Sequence, residues 1–173
     1  MMMNSQPMDP FAFLPQGQPA LVSPDHADVV TASLQSVSRH PLMVRLQTEG
    51  GASASTGDDF WLDEDDWRAV LQPYTVVDGV LQIPVRGVLL HDFPYQFFSW
   101  ATGYKYIEKA FKRGMEDENV RGIALVIDSP GGMVAGCFDA VDRMIAAKGD
   151  KPVRAFAAET ATSAAYAIAT VAD

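Results

Sequence analysis

From residue 74 onward the apolar and polar positions resolve into discrete elements. Residues 74–77 and 80–85 are two β-rich runs separated by Asp78-Gly79, a pair that supplies the geometry of a two-residue hairpin turn. Gly87-Val88-Leu89-Leu90 extends the second run. Residues 91–103 carry Phe93, Tyr95, Phe97, Phe98 and Trp100. They read as a loop that packs on the core or meets a second subunit, because aromatic rings are more often buried payload than a ligand cage. Residues 104–115 place Ile107, Ala110, Phe111 and Met115 on one face and Lys105, Lys109 and Lys112 on another, which predicts an amphipathic helix. Gly122-Ile123-Ala124-Leu125-Val126-Ile127 is apolar without alternation, the pattern of a strand buried on both faces of a parallel sheet. Asp128-Ser129-Pro130-Gly131-Gly132 is expected to break that strand. Residues 138–148 then predict a helix with Val141, Met144, Ile145 and Lys148 in register, residues 152–157 a strand, residues 158–162 a loop, and residues 163–172 a small-residue helix. Strand and helix alternate over residues 104–173, so the fold class is α/β with right-handed crossovers.

The first 73 residues read differently and form a separate region. Residues 1–22 hold Pro7, Pro10, Pro15 and Pro19 and predict an extended arm. Ser23-Pro24-Asp25 is an N-cap signal with proline at the first helical position. Val30, Leu34 and Val37 follow at helical spacing, and Pro41 ends the helix. Glu49 to Gly57 is a linker of small residues. Asp58, Asp59, Asp63, Glu64, Asp65 and Asp66 with Trp61 and Trp67 read as a solvated helix start carrying two packing aromatics, against a metal-binding or docking role.

Composition narrows the function. The 173 residues are 48% hydrophobic and 20% charged, an ordinary globular mixture for one domain. Thirteen Lys+Arg against 22 Asp+Glu leave a net charge of -9, which argues against a general nucleic-acid binder. No apolar run approaches the roughly 18 residues of a membrane span, and the first ten residues lack the basic and apolar regions of a secretory signal. A single cysteine, Cys137, excludes an intrachain disulfide, and three scattered His give no convincing zinc site. No metal or cofactor is expected.

Two loops follow the carboxyl ends of predicted strands, where open α/β sheets place their sites. In the first, Gly131 and Gly132 are either a plain turn or a pair of uncovered amides able to hold an oxyanion. In the second, Ser163 stands before Ala164-Ala165-Tyr166-Ala167, either as an ordinary N-cap or as a nucleophile favoured by the positive end of a helix. Asp128 orients the glycine loop or caps a turn, and Cys137 reads as a buried thiol. Tyr166 is expected to pack beneath the last helix without a catalytic role. His26, His40 and His91 stand far from both motifs in sequence and receive no role.

The two motifs in this order, with a helix and a strand between them, resemble the S49 peptidases, serine proteases of the signal peptide peptidase A type with the ClpP/crotonase fold. Residues 78–89, from Asp78-Gly79-Val80 to Gly87-Val88-Leu89, are similar to the first strand of that family's phage branch, the prohead proteases of the protein C type. The resemblance covers residues 74–173, which it makes the N-terminal part of an S49 domain. It implies a Ser–Lys dyad, with Ser163 as nucleophile, Gly131 and Gly132 supplying oxyanion amides, and a neutral lysine as general base. It further implies homo-oligomers and, as partners or substrates, phage scaffold, portal or capsid proteins cut after small residues, within the procapsid in the cytoplasm of a bacterial host.

In that family's single-domain members the base lysine follows the nucleophile by some tens of residues, and in its double-length members it comes from a different repeat. Here Lys105, Lys109, Lys112, Lys148 and Lys151 all precede Ser163, and each is expected in solvent, so none is assigned as base. The expectation is a chain that is the N-terminal portion of a longer protease, nearly inert alone, with a sheet incomplete at its C-terminal side that leaves an open edge and an apolar face for oligomer or partner contacts. Two alternatives stand beside the peptidase: a crotonase-like acyl-CoA enzyme, which does not need a serine at position 163, and a non-catalytic capsid assembly protein.

Overall fold

The computed structural model describes residues 19–22, 24–48 and 60–173. The arm over residues 1–18, Ser23 of the N-cap signal, the small-residue linker, and Asp58 and Asp59 of the acidic cluster lie outside the described residues.

The chain begins with strand β1 (Ala20–Val22), a short 3-10 turn over Pro24–His26, and helices α1 (Ala27–Arg39) and α2 (Pro41–Thr48). Pro41 ends α1 because its ring disfavours the helical region for the residue before it, and His40 is extended with ψ 135°. The same proline opens α2, since it lacks only an N–H that the first helical position leaves unpaired. Strands β2 (Thr75–Val77) and β3 (Val80–Leu90) form the expected hairpin about Asp78-Gly79. The aromatic run is not a plain loop: it contains β4 (Gln96–Phe97) and β5 (Ala101–Gly103), with Phe93 and Phe97 buried. Helix α3 (Tyr104–Glu116), strand β6 (Gly122–Met133), helix α4 (Cys137–Ala147), strand β7 (Val153–Ala161) and helix α5 (Ala164–Ala169) complete the alternation.

One mixed sheet organises these elements. The path β1-β6-β3-β5-β4 runs across it, with β2 also on β3 and β7 also on β6. The central pairs β3–β6, β3–β5 and β6–β7 are parallel, as expected; β1–β6, β2–β3 and β4–β5 are antiparallel. Leu81, Ile83 and Val85 of β3 point to the helical side, together with Ile123, Leu125 and Ile127 of β6. Against them pack Ile107, Ala110 and Phe111 of α3, Ala140, Val141 and Met144 of α4, and Ala164, Ala165 and Ile168 of α5. Burial of such side chains, at about 1.5–3 kcal/mol each, holds the helices to the sheet. Arg143 of α4 and Glu108 of α3 close the helix pair with bonds of 2.7 and 3.0 Å.

The opposite face differs from expectation. In the β3–β6 register Gln82, Pro84 and Arg86 stand beside Ala124, Val126 and Asp128. Gln82, Arg86 and Asp128 are exposed and Pro84 and Val126 half-buried, so this part of the face is open, although Ala124 is buried. Phe156 of β7, opposite Val126, is 57% exposed. Ile145 also turns outward, away from the Val141–Met144 face of α4.

The acidic segment is a series of turns rather than a helix start. Asp66 binds the Arg68 side chain at 2.6 Å, and those hydrogen bonds, with that from the Arg68 amide, hold its carboxyl at about 2. Trp61 and Trp67 pack as expected: Arg113 lies 4.8 Å from the Trp61 ring and Arg45 lies 4.3 Å from that of Trp67.

Candidate active site

Strand β6 does not stop at its proline and glycines. It continues through Ser129, Pro130, Gly131 and Gly132 to Met133, with register shifts against both neighbours beside Asp128. Ser129 holds this irregular stretch. Its fully buried hydroxyl donates to the Gly87 carbonyl at 2.6 Å and accepts from Gly131 N at 3.2 Å. At the far end the buried Tyr104 hydroxyl donates to the Met133 carbonyl at 2.7 Å. Burial pushes the Tyr104 phenol well above its ordinary range, so it stays a neutral donor.

Strand β7 brings the second motif to the same place. Its last residue, Ala161, pairs with Ser129, and Thr162 N donates to the Ser129 carbonyl at 3.3 Å. Asp128 contributes a further tie by accepting from Thr160 N at 3.3 Å. The chain then turns sharply into α5, and Ser163 is the turn. Its φ is 57° and its ψ -121°, backbone angles that residues with a Cβ avoid and that cost of order 1–3 kcal/mol. Ser163 makes no capping hydrogen bond to α5, so it is not the ordinary N-cap that its position alone would indicate. Such a strained strand–serine–helix corner lifts a hydroxyl clear of the backbone and presents it at the carboxyl edge of a sheet.

Ser163 and Gly131 meet. A Cβ built on Gly131 would stand 3.0 Å from Ser163 Cβ and 3.2 Å from Ala164 N. The φ of Gly131, 104°, belongs to glycine. Gly132 is glycine for a different reason, since a Cβ there would collide with the Leu89 backbone on β3. The Gly131 amide is engaged by Ser129 Oγ, through a long bond. Ala164 N is a donor that sequence reasoning overlooked; as the first helical amide it has no partner within its own helix.

Other sequence candidates fall elsewhere. Cys137 is buried and its Sγ lies 3.9 Å from the Ala164 carbonyl; burial pushes the thiol up, as suits an inert cysteine. Tyr166 is 65% exposed rather than packed beneath α5, because Ala164, Ala165 and Ile168 take the buried face. The lysines are engaged away from Ser163. Lys105 pairs with Asp92 at 3.0 Å and Lys112 with Glu116 at 3.8 Å, while Lys109 lies 5.8 Å from the Phe60 ring. Lys148 and Lys151 are not free in solvent: Lys148 binds the Val171 carbonyl and Asp173, and Lys151 the Gly114 and Asp117 carbonyls.

The importance of Ser129 and Tyr104 was not visible from the sequence, since each acts through a partner strand. Replacing Ser129 with Ala leaves the Gly87 carbonyl and the Gly131 amide without their common partner. Urea unfolding should show a loss of about 1–3 kcal/mol, and an unchanged midpoint would show the clamp to be idle.

In class, this is a mixed α/β protein in which a strained serine corner abuts a glycine-bearing strand. Comparison with known sequences makes the class more particular. Over 97 residues the chain is 43% identical to the head-tail preconnector protein GP5 of Enterobacteria phage P21, and over 111 residues 36% identical to the capsid assembly protease C of Escherichia phage lambda. The matches take in 56% and 64% of this chain but only 19% and 25% of those proteins, so the chain spans about a quarter or less of either relative. No protein-family model matches the chain, and no solved structure matches it significantly.

Proposed function

We propose that residues 74–173 are the nucleophile-bearing part of a phage capsid-maturation serine endopeptidase of the S49 type, with the ClpP/crotonase fold. The observation that carries this reading is the strained Ser163 corner lying against Gly131. Strain of this kind is retained where a side chain must be presented in one direction. Ser163 Oγ attacks the scissile carbonyl. The developing oxyanion is assigned to backbone amides at Gly131 and Gly132, which must first release the bonds they make to Ser129 Oγ and to β1, with Ala164 N beside them; fixed donors of this kind are worth about 10²–10³ in rate apiece.

The general base of this Ser–Lys dyad comes from outside the described residues, because every lysine of the chain is engaged elsewhere. It accepts the Ser163 proton and returns it to the leaving amine. Similarity to a capsid assembly protease and a head-tail preconnector supports scaffold, portal and capsid proteins as substrates or partners, and a procapsid in the bacterial cytoplasm as the place of action. Homo-oligomer contacts would use the exposed margin of β7. Among the described residues no helix is long and apolar enough to cross a membrane.

The engaged lysines favour one other reading, a non-catalytic assembly protein that keeps the fold. Peptide hydrolysis separates the two. These 173 residues alone should be nearly inert, and a chain carrying the further sequence present in the relatives should cleave and lose cleavage on Ser163→Ala. Robust hydrolysis by the 173 residues alone would overturn the external base, and an inert longer chain would overturn the peptidase.

A further inference from the structure

One edge of β6 is shared by two strands. Through Ser129 it pairs with β7; from Gly131 to Met133 it pairs with β1, running antiparallel. Ala20 stands opposite Met133, Leu21 opposite Gly132 and Val22 opposite Gly131. Val134 N donates to the Pro19 carbonyl at 3.1 Å. Bonded pairs alternate along an antiparallel ladder, so Leu21–Gly132 is the next bonded pair. The Leu21 carbonyl oxygen and Ser163 Cβ both border the space beside Gly131. The arm therefore brings a peptide backbone to the point where the serine corner meets the glycine strand.

This strand is held mainly by its backbone. Ala20 is exposed, and Leu21 and Val22 are only half-buried. Three residues of pairing and one half-buried leucine against the core make a weak association, sustained because the arm belongs to the same chain; a tethered segment reaches effective concentrations of order millimolar.

We propose that the Gly131–Met133 edge of β6 is a lane for an extended peptide and that β1 is its resident, displaceable occupant, so that a substrate segment enters only by replacing the arm. The lane takes a strand by backbone pairing. Its resident shows the side chains it accepts, small or aliphatic at successive positions. Calling the incoming segment a substrate rests on the peptidase reading; the lane and its occupant do not.

The test is fluorescence anisotropy with a fluorescein-labelled synthetic peptide of residues 17–24, added to the full chain and to its Leu21→Pro variant. Proline removes the Leu21 N–H from the ladder and should free the edge, so the variant should bind the peptide at least about tenfold more tightly than the unaltered chain. Leu21→Gly, which weakens the strand but keeps the N–H, should fall between them and guards against misfolding of the proline variant. Amide exchange at residues 131–133 should speed up in Leu21→Pro and slow again when the peptide is added. Equal affinity in all three chains, or exchange at residues 131–133 indifferent to the arm, overturns the proposal. Cleavage is not read, so a Ser163 that proves inert leaves this outcome standing, and a failed lane leaves the serine untouched.

Discussion

Gly132→Ala should destabilise the protein by about 3 kcal/mol or more, toward the exceptional end for a single substitution. The added methyl has nowhere to go. Its position collides with the Leu89 backbone oxygen, nitrogen and Cα, all in the neighbouring strand at the centre of the sheet. Side chains rotate out of the way of a new methyl, but a paired backbone moves only by parting β3 from β6. Gly149→Ala is the matched control, since nothing lies within 4 Å of its Cβ position and the same methyl is added; it should change stability by less than about 1 kcal/mol. Chemical unfolding of the two variants decides the matter. Similar midpoints would mean that the strands do not approach as closely as described and that Gly132 is glycine for its amide alone.

The second large effect has the opposite sign. Ser163→Gly should make the protein more stable even as it removes the proposed nucleophile. At a φ of 57° and ψ of -121° a serine carries strain of about 1–3 kcal/mol. Glycine escapes it and gives back about 0.5–1 kcal/mol through its freer unfolded chain. Ser163→Ala removes the same hydroxyl but keeps the Cβ and hence the strain. The glycine variant should therefore outlast the alanine variant by about 1 kcal/mol in urea unfolding. Equal stability of the two would mean that the corner is relaxed, and the main physical support for a presented hydroxyl would be gone.

The chain announced some of this in its residue types. Asp78-Gly79 between apolar runs specified the β2–β3 hairpin, and the unalternating run from Gly122 specified a central parallel strand. The order of the glycine pair and Ser163 placed both motifs at the same edge of the sheet. What stayed hidden depends on partners distant in sequence. Three residues of a proline-rich arm carry no periodicity, so β1 appears only through its pairing with Gly131–Met133. Strands β4 and β5 were concealed because a short aromatic run is equally compatible with a packed loop. Ser129 reads as part of a turn until Gly87 is seen to need its hydroxyl. The strain at Ser163 is a property of backbone angles, and no residue type encodes it.

Chemical labelling of the serine itself examines the proposed site most directly. A fluorophosphonate should be added to the chain carrying the further sequence present in the relatives, and the adduct located by peptide mass mapping. One phosphonyl group on Ser163, lost in Ser163→Ala, is the expected result. Cleavage activity that survives Ser163→Ala, or an adduct on any other serine, would contradict the assignment.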